Sequence, residues 1–142
     1  MVIKKRRVEG LLADSDEPLS PNPLNLGAKY AKLLTIRARN WASAAKAGAG
    51  TDDAVRIKIT DNNSDVVYLD AADRDYKTAE VTTNPTQDDT STGLGVVPTD
   101  ATGAAATAGA GAPIIMESPV VVSVVNGGTA TDFMTVDLIV EV

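Results

Sequence analysis

The sequence predicts an all-β protein: a β-sandwich or jelly roll with an extended N-terminal arm and a long Ala/Gly/Thr-rich loop. Three observations predict it. Residues 34–39 and 55–60 alternate apolar and polar side chains with period two, the pattern of a strand with one wet face. The closing strip, residues 112–142, holds two runs rich in β-branched and aliphatic residues, 120–125 and 133–142, flanking Asn126-Gly127-Gly128. Asn-Gly supplies the positive φ angles that a hairpin connection needs. Turn signals separate about seven short strand-like segments, and no long helical period interrupts them.

The elements follow in chain order. Residues 1–27 read as an extended arm, because Pro18, Pro21 and Pro23 forbid a helix and break an interior strand. Leu11, Leu12, Leu19, Leu24 and Leu26 are too many for a disordered linker, so the arm should lie against its own domain or a neighbour. Residues 28–142 form the single sandwich domain. Its first strand is 30–41, with Leu34, Ile36 and Ala38 on one face and Thr35, Arg37 and Arg39 on the other. Residues 42–50 are an Ala/Gly-rich loop. Residues 54–60 and 66–69 make a hairpin around Asp61-Asn62-Asn63-Ser64, and 76–83 is a fourth strand. Residues 84–112 are a long loop, and its stretch of small side chains, 98–112, suits a tight contact between subunits. Strands at 113–117, 120–125 and 133–142 close the chain.

Composition narrows the chemistry. The 142 residues hold no His and no Cys. That removes the usual general base near neutral pH, thiol nucleophiles, disulfides and thiolate metal sites. No Gly-x-Ser-x-Gly, Ser-x-x-Lys or phosphate loop is present, so no enzyme, cofactor or metal is expected. Aromatic residues make up only 4% of the chain. A core of Val, Ile, Leu and Ala buries less area per residue, which leaves stability to be gained from neighbours in an assembly. No apolar run reaches about 18 residues, and residues 1–10 lack the apolar stretch of a signal peptide, so no membrane span and synthesis in the cytoplasm are expected.

Charge is unevenly spread over a net −6. Residues 1–51 carry nine basic and four acidic side chains, residues 52–100 four and eleven, and residues 101–142 none and four. A basic amino-terminal part on an acidic body orients attachment to a partner of mixed charge. It argues against nucleic acid, because no basic stripe runs along the fold. Lys4, Lys5, Arg6 and Arg7, with Leu11, Leu12, Leu24 and Leu26 behind them, are the candidate protein-binding residues.

Other candidates reduce to structure. Asp61, Asn63 and Asp65 imitate half of a calcium loop, but position six is Val66 and position twelve Ala72, so they read as a hairpin turn. Asp70, Asp73 and Asp75 read as a solvated turn beside Arg74. Arg37 and Arg39 should meet acidic neighbours on an exposed strand face. Trp41 reads as a core cap ahead of an interface anchor, with Tyr30, Tyr68, Tyr76 and Phe133 as core or rim.

The acidic, His- and Cys-free chain, its irregular arm, its Ala/Gly/Thr-rich loop and its closing residues 118–142, Ser-Pro-Val-Val-Val-Ser-Val-Val-Asn-Gly-Gly-Thr…Thr-Val-Asp-Leu-Ile-Val-Glu-Val, resemble the jelly-roll cement or head decoration proteins of tailed bacteriophages. The resemblance is strongest over residues 113–142. It implies a structural virion protein on the outer capsid surface, a dimer or trimer that clamps neighbouring major capsid protein subunits, with no catalytic residues. Removing residues 1–20 is then expected to leave the sandwich folded and weaken attachment. The alternative is a carbohydrate- or receptor-binding sandwich of a tail fibre or adhesin, for which aromatic side chains are scarce. A minor virion or tail-connector component is the third reading.

Overall fold

The computed structural model describes residues 2–12, 17–51, 55–70, 73–86, 112–126 and 132–142. Most of the expected 84–112 loop and the Gly127-Gly128 turn lie outside them. The described residues form nine strands and no helix: β1 (Ile3–Leu11), β2 (Glu17–Pro18), β3 (Tyr30–Trp41), β4 (Val55–Thr60), β5 (Val66–Leu69), β6 (Val81–Thr83), β7 (Ile114–Glu117), β8 (Val121–Asn126) and β9 (Phe133–Glu141).

They build two antiparallel sheets, as a β-sandwich requires. One runs β1-β9-β3-β6, with β7 also paired to β3; the other runs β2-β8-β4-β5. The pairing is nested: β1 with β9, β2 with β8, β3 with β7 and β4 with β5. Two further pairings, β3 with β9 and β4 with β8, join these nested pairs into sheets.

Period-two patterning fills the space between the sheets. Val55, Ile57 and Ile59 of β4, Val122 and Val124 of β8, and Met134, Val136, Leu138 and Val140 of β9 are all buried in one core cluster. On β3 the alternation is interrupted: the β9 register shifts between Leu33 and Thr35. That bulge puts Ala31 and Leu33 inward on one side of it and Ile36 and Ala38 on the other, so Leu33 takes the core place expected of Leu34.

Two expectations are corrected here. The strand expected over 76–83 is confined to Val81–Thr83. Asp75 accepts the backbone N–H of Lys77 at 2.9 Å and of Thr78 at 3.4 Å, a turn that interrupts the pairing with β3 after a first backbone bond from Asn40 N to the Tyr76 carbonyl at 2.7 Å. The extended arm of residues 1–27 is, over its described residues, part of the sandwich. β1 pairs with β9 from Ile3↔Glu141 to Leu11↔Phe133, and β2 pairs with β8. Past the prolines, Leu24 and Val120 exchange backbone bonds at 2.7 and 2.9 Å. Val8, Leu12, Leu19, Leu24 and Leu26 join the core. The leucines are there because this segment closes the open end of the sandwich.

Candidate partner-binding surface

The basic run lies on β1, and a strand splits it. Even-numbered side chains of β1 turn toward the interior, and odd-numbered ones toward the outer face of the β1-β9-β3-β6 sheet. Lys4, Lys5, Arg6 and Arg7 are therefore two pairs on opposite sides of an edge strand. Lys4 and Arg6 reach over the loop at Gly27, whose φ is +85°. A Cβ at Gly27 would lie 2.6 Å from Lys4 Nζ and 3.0 Å from an Arg6 terminal nitrogen, contacts those flexible side chains can relieve, so it is the positive φ that favours glycine there. Beside them an open cleft is lined by Asn25, Gly27, Ala28, Lys29, Ser118 and Pro119.

The leucines divide as well. Leu11 is 61% exposed, on the outer face. Leu12 and Leu24 are 4% exposed and Leu26 is fully buried, so these three hold the core and do not meet a partner. A one-residue step along β1 separates Leu11 from Leu12 because successive side chains take opposite faces.

The outer face of the β1-β9-β3 sheet was not legible as a unit. Cross-strand register places Leu11, Phe133 and Trp41 in one row, then Glu9, Thr135 and Arg39, then Arg7, Asp137 and Arg37. Arg7 donates two parallel bonds to Asp137, both 2.8 Å, which clips the edge strand to β9. That bond holds the Arg7 guanidinium above its ordinary value, against the opposing effect of burial. The Arg39 guanidinium lies 3.8 Å from the centre of the Trp41 ring, and Trp41 Nε1 donates to Thr135 Oγ1 at 3.1 Å. Trp41 is half-buried on this face, not a core cap. The sequence signal was an Arg and a Trp two residues apart on one strand, with an acid, Asp137, set mid-strand in an apolar run. Only the register shows that Asp137 stands between Arg7 and Arg37.

The acidic clusters serve the fold. Asp61 accepts the N–H groups of Asn63 at 2.9 Å, Asp65 at 3.3 Å and Glu117 at 3.2 Å, so its carboxylate ties the β4–β5 turn to β7. Asp70 overturns the solvated-turn reading, since it is fully buried. It accepts from Ile57 N at 2.9 Å, from the Tyr68 hydroxyl, from the Tyr76 hydroxyl at 2.5 Å and from Arg74 at 3.4 Å. Burial first, and the Asp70 carboxylate second, push both tyrosines well above their ordinary value. Asp73 pairs with Arg56 at 3.4 Å, in the open. Among the described residues no group of three or more acidic side chains is placed to hold a metal ion, and no helix is long and apolar enough to cross a membrane.

No family model, curated protein or solved structure matches the chain.

Proposed function

We propose that the chain is a structural virion protein, a jelly-roll cement or decoration protein that binds the outer surface of a capsid and clamps neighbouring shell subunits. The observation that carries the reading is the nested pairing of first strand with last, second with eighth, third with seventh and fourth with fifth. A single long hairpin rolled on itself produces that pairing in two facing four-stranded sheets, the jelly-roll plan common to capsid and lectin domains, to which β6 adds a fifth strand on one sheet. A fold of this kind hosts several functions, so the functional half of the proposal rests on the surface. A basic edge strand on an acidic body favours one docking orientation. Phe133 and Trp41, in one row with Leu11 and beside Arg39 and Arg37, are aromatic and arginine side chains, the types enriched at protein interfaces. The closing residues 113–142, on which the resemblance is strongest, supply β7, β8 and β9.

The test is gradient sedimentation of the native source lysate, with mass spectrometry for this chain across the fractions. Co-migration with a megadalton particle, in numbers comparable to a shell protein, is the expected result. Migration at a few tens of kilodaltons, free of any particle, overturns the proposal.

A further inference from the structure

We infer that the free edge of β1 is a strand-addition site for an acidic, extended segment of a partner protein. This goes beyond the capsid reading and does not depend on it, since the occupant is defined by its chemistry.

The argument starts from the β1–β9 bonds. Val2 and Val142 exchange both backbone bonds, at 3.1 and 2.9 Å, and Leu12 N donates to Asp132 O at 2.9 Å. In an antiparallel pair such residues alternate, so even-numbered residues of β1 spend their N–H and C=O groups on β9 and odd-numbered ones point away. Glu9 shows where the outward groups go when a partner exists: it exchanges two bonds of 2.9 Å with Ser20. Among the described residues, the outward N–H and C=O of Ile3, Lys5 and Arg7 meet no such partner. The sheet therefore ends on a three-rung template, closed at one end by Ser20.

Charge selects the occupant. Lys4 and Arg6 flank the edge on one side and Lys5 and Arg7 on the other. Of these four cations only Arg7 has a carboxylate partner among the described residues, Asp137. A strand added to this edge sends alternate side chains to both sides, so acidic residues at successive positions reach all four cations. A second copy pairing β1 against β1 would bring like charges face to face, which disfavours it. A nucleic acid is disfavoured too. It lacks the regularly spaced N–H donors that the outward carbonyls need, and a single phosphate row reaches cations on one side of the sheet only.

The test uses the full-length, isotope-labelled protein and a capped nine-residue peptide of three Glu-Glu-Val repeats, which sends glutamates to both faces of a strand. A second peptide has the same charge with Pro replacing each Val, so it cannot hold a regular strand. The expected result has two parts. The Glu/Val peptide binds at least tenfold more tightly than the Pro version. At saturation, amide exchange at Lys5 and Arg7 slows at least tenfold, while the even-numbered amides of β1, already bonded to β9, change little. Equal binding of the two peptides would reduce the site to charge alone and overturn the inference. So would unchanged exchange at Lys5 and Arg7, a ten-residue oligothymidylate binding as tightly as the Glu/Val peptide, or protection of those amides by self-association without peptide.

Discussion

Asp70 is the position where one substitution should do most damage. Its carboxylate is fully buried and gathers four donors from three segments: Ile57 N on β4, Tyr68 on β5, and Tyr76 and Arg74 from the irregular stretch after it. In Asp70→Ala, the Ile57 N–H and the two hydroxyls lose this acceptor inside the core. An orphaned buried donor costs about 1–3 kcal/mol. Arg74 loses a partner but keeps Thr83 Oγ1 at 2.8 Å and partial access to water, so its share is small. Relief from holding a carboxylate in the interior offsets part of the sum, which leaves a net loss of about 3–5 kcal/mol. For a chain of this size that lowers the melting temperature by roughly 10–15 °C. Asp70→Asn keeps an acceptor of the same shape and should lose less than half as much. Urea unfolding followed by circular dichroism measures both. A loss under about 1 kcal/mol in Asp70→Ala would refute the reasoning, because the three donors would then have found other partners.

Three further outcomes are expected. Alkali should unfold the protein through the same cluster. Below pH 10 both tyrosines are protonated in folded and unfolded chains alike and stability is intact; above it the unfolded chain releases two protons that the folded one retains. The unfolding free energy should thus fall from about pH 10 upward, by up to about 2.7 kcal/mol per pH unit, and a flat urea midpoint between pH 9 and 11 would contradict this. Gly50→Ala should cost about 1–3 kcal/mol by calorimetry, since its Cβ would sit 2.6 Å from Asn40 Cγ and 2.9 Å from the Asn40 carbonyl oxygen. Deleting residues 1–20 should abolish the cooperative urea transition, the reverse of what an accessory arm would do. It removes Val8, Leu12 and Leu19 from the core, at about 1.5–3 kcal/mol each before cavity effects, against a typical total of about 5–15 kcal/mol; an unchanged transition would return the segment to the status of an arm.

The sequence by itself determined the local elements and the class. Val55, Ile57 and Ile59 read inward from their alternation and are inward, and the turn at Asp61 is where turn chemistry put it. Such features depend on residues close together in the chain, so they are legible there. β1 was not. Ile-Lys-Lys-Arg-Arg-Val-Glu-Gly-Leu has one fully buried side chain, Val8, and its strand character comes from β9, some 130 residues away. The same distance hid the candidate surface. A run of four basic residues is one patch in sequence but two in space, because a strand sends neighbours to opposite faces. Which backbone groups of β1 stay free among the described residues follows from its register with β9 and from the closure at Ser20. Asp70 looked like one more acid in a turn until Tyr68, Tyr76 and β4 closed over it. Burial, register and edges belong to the pairing of distant segments, and tertiary structure alone decided them.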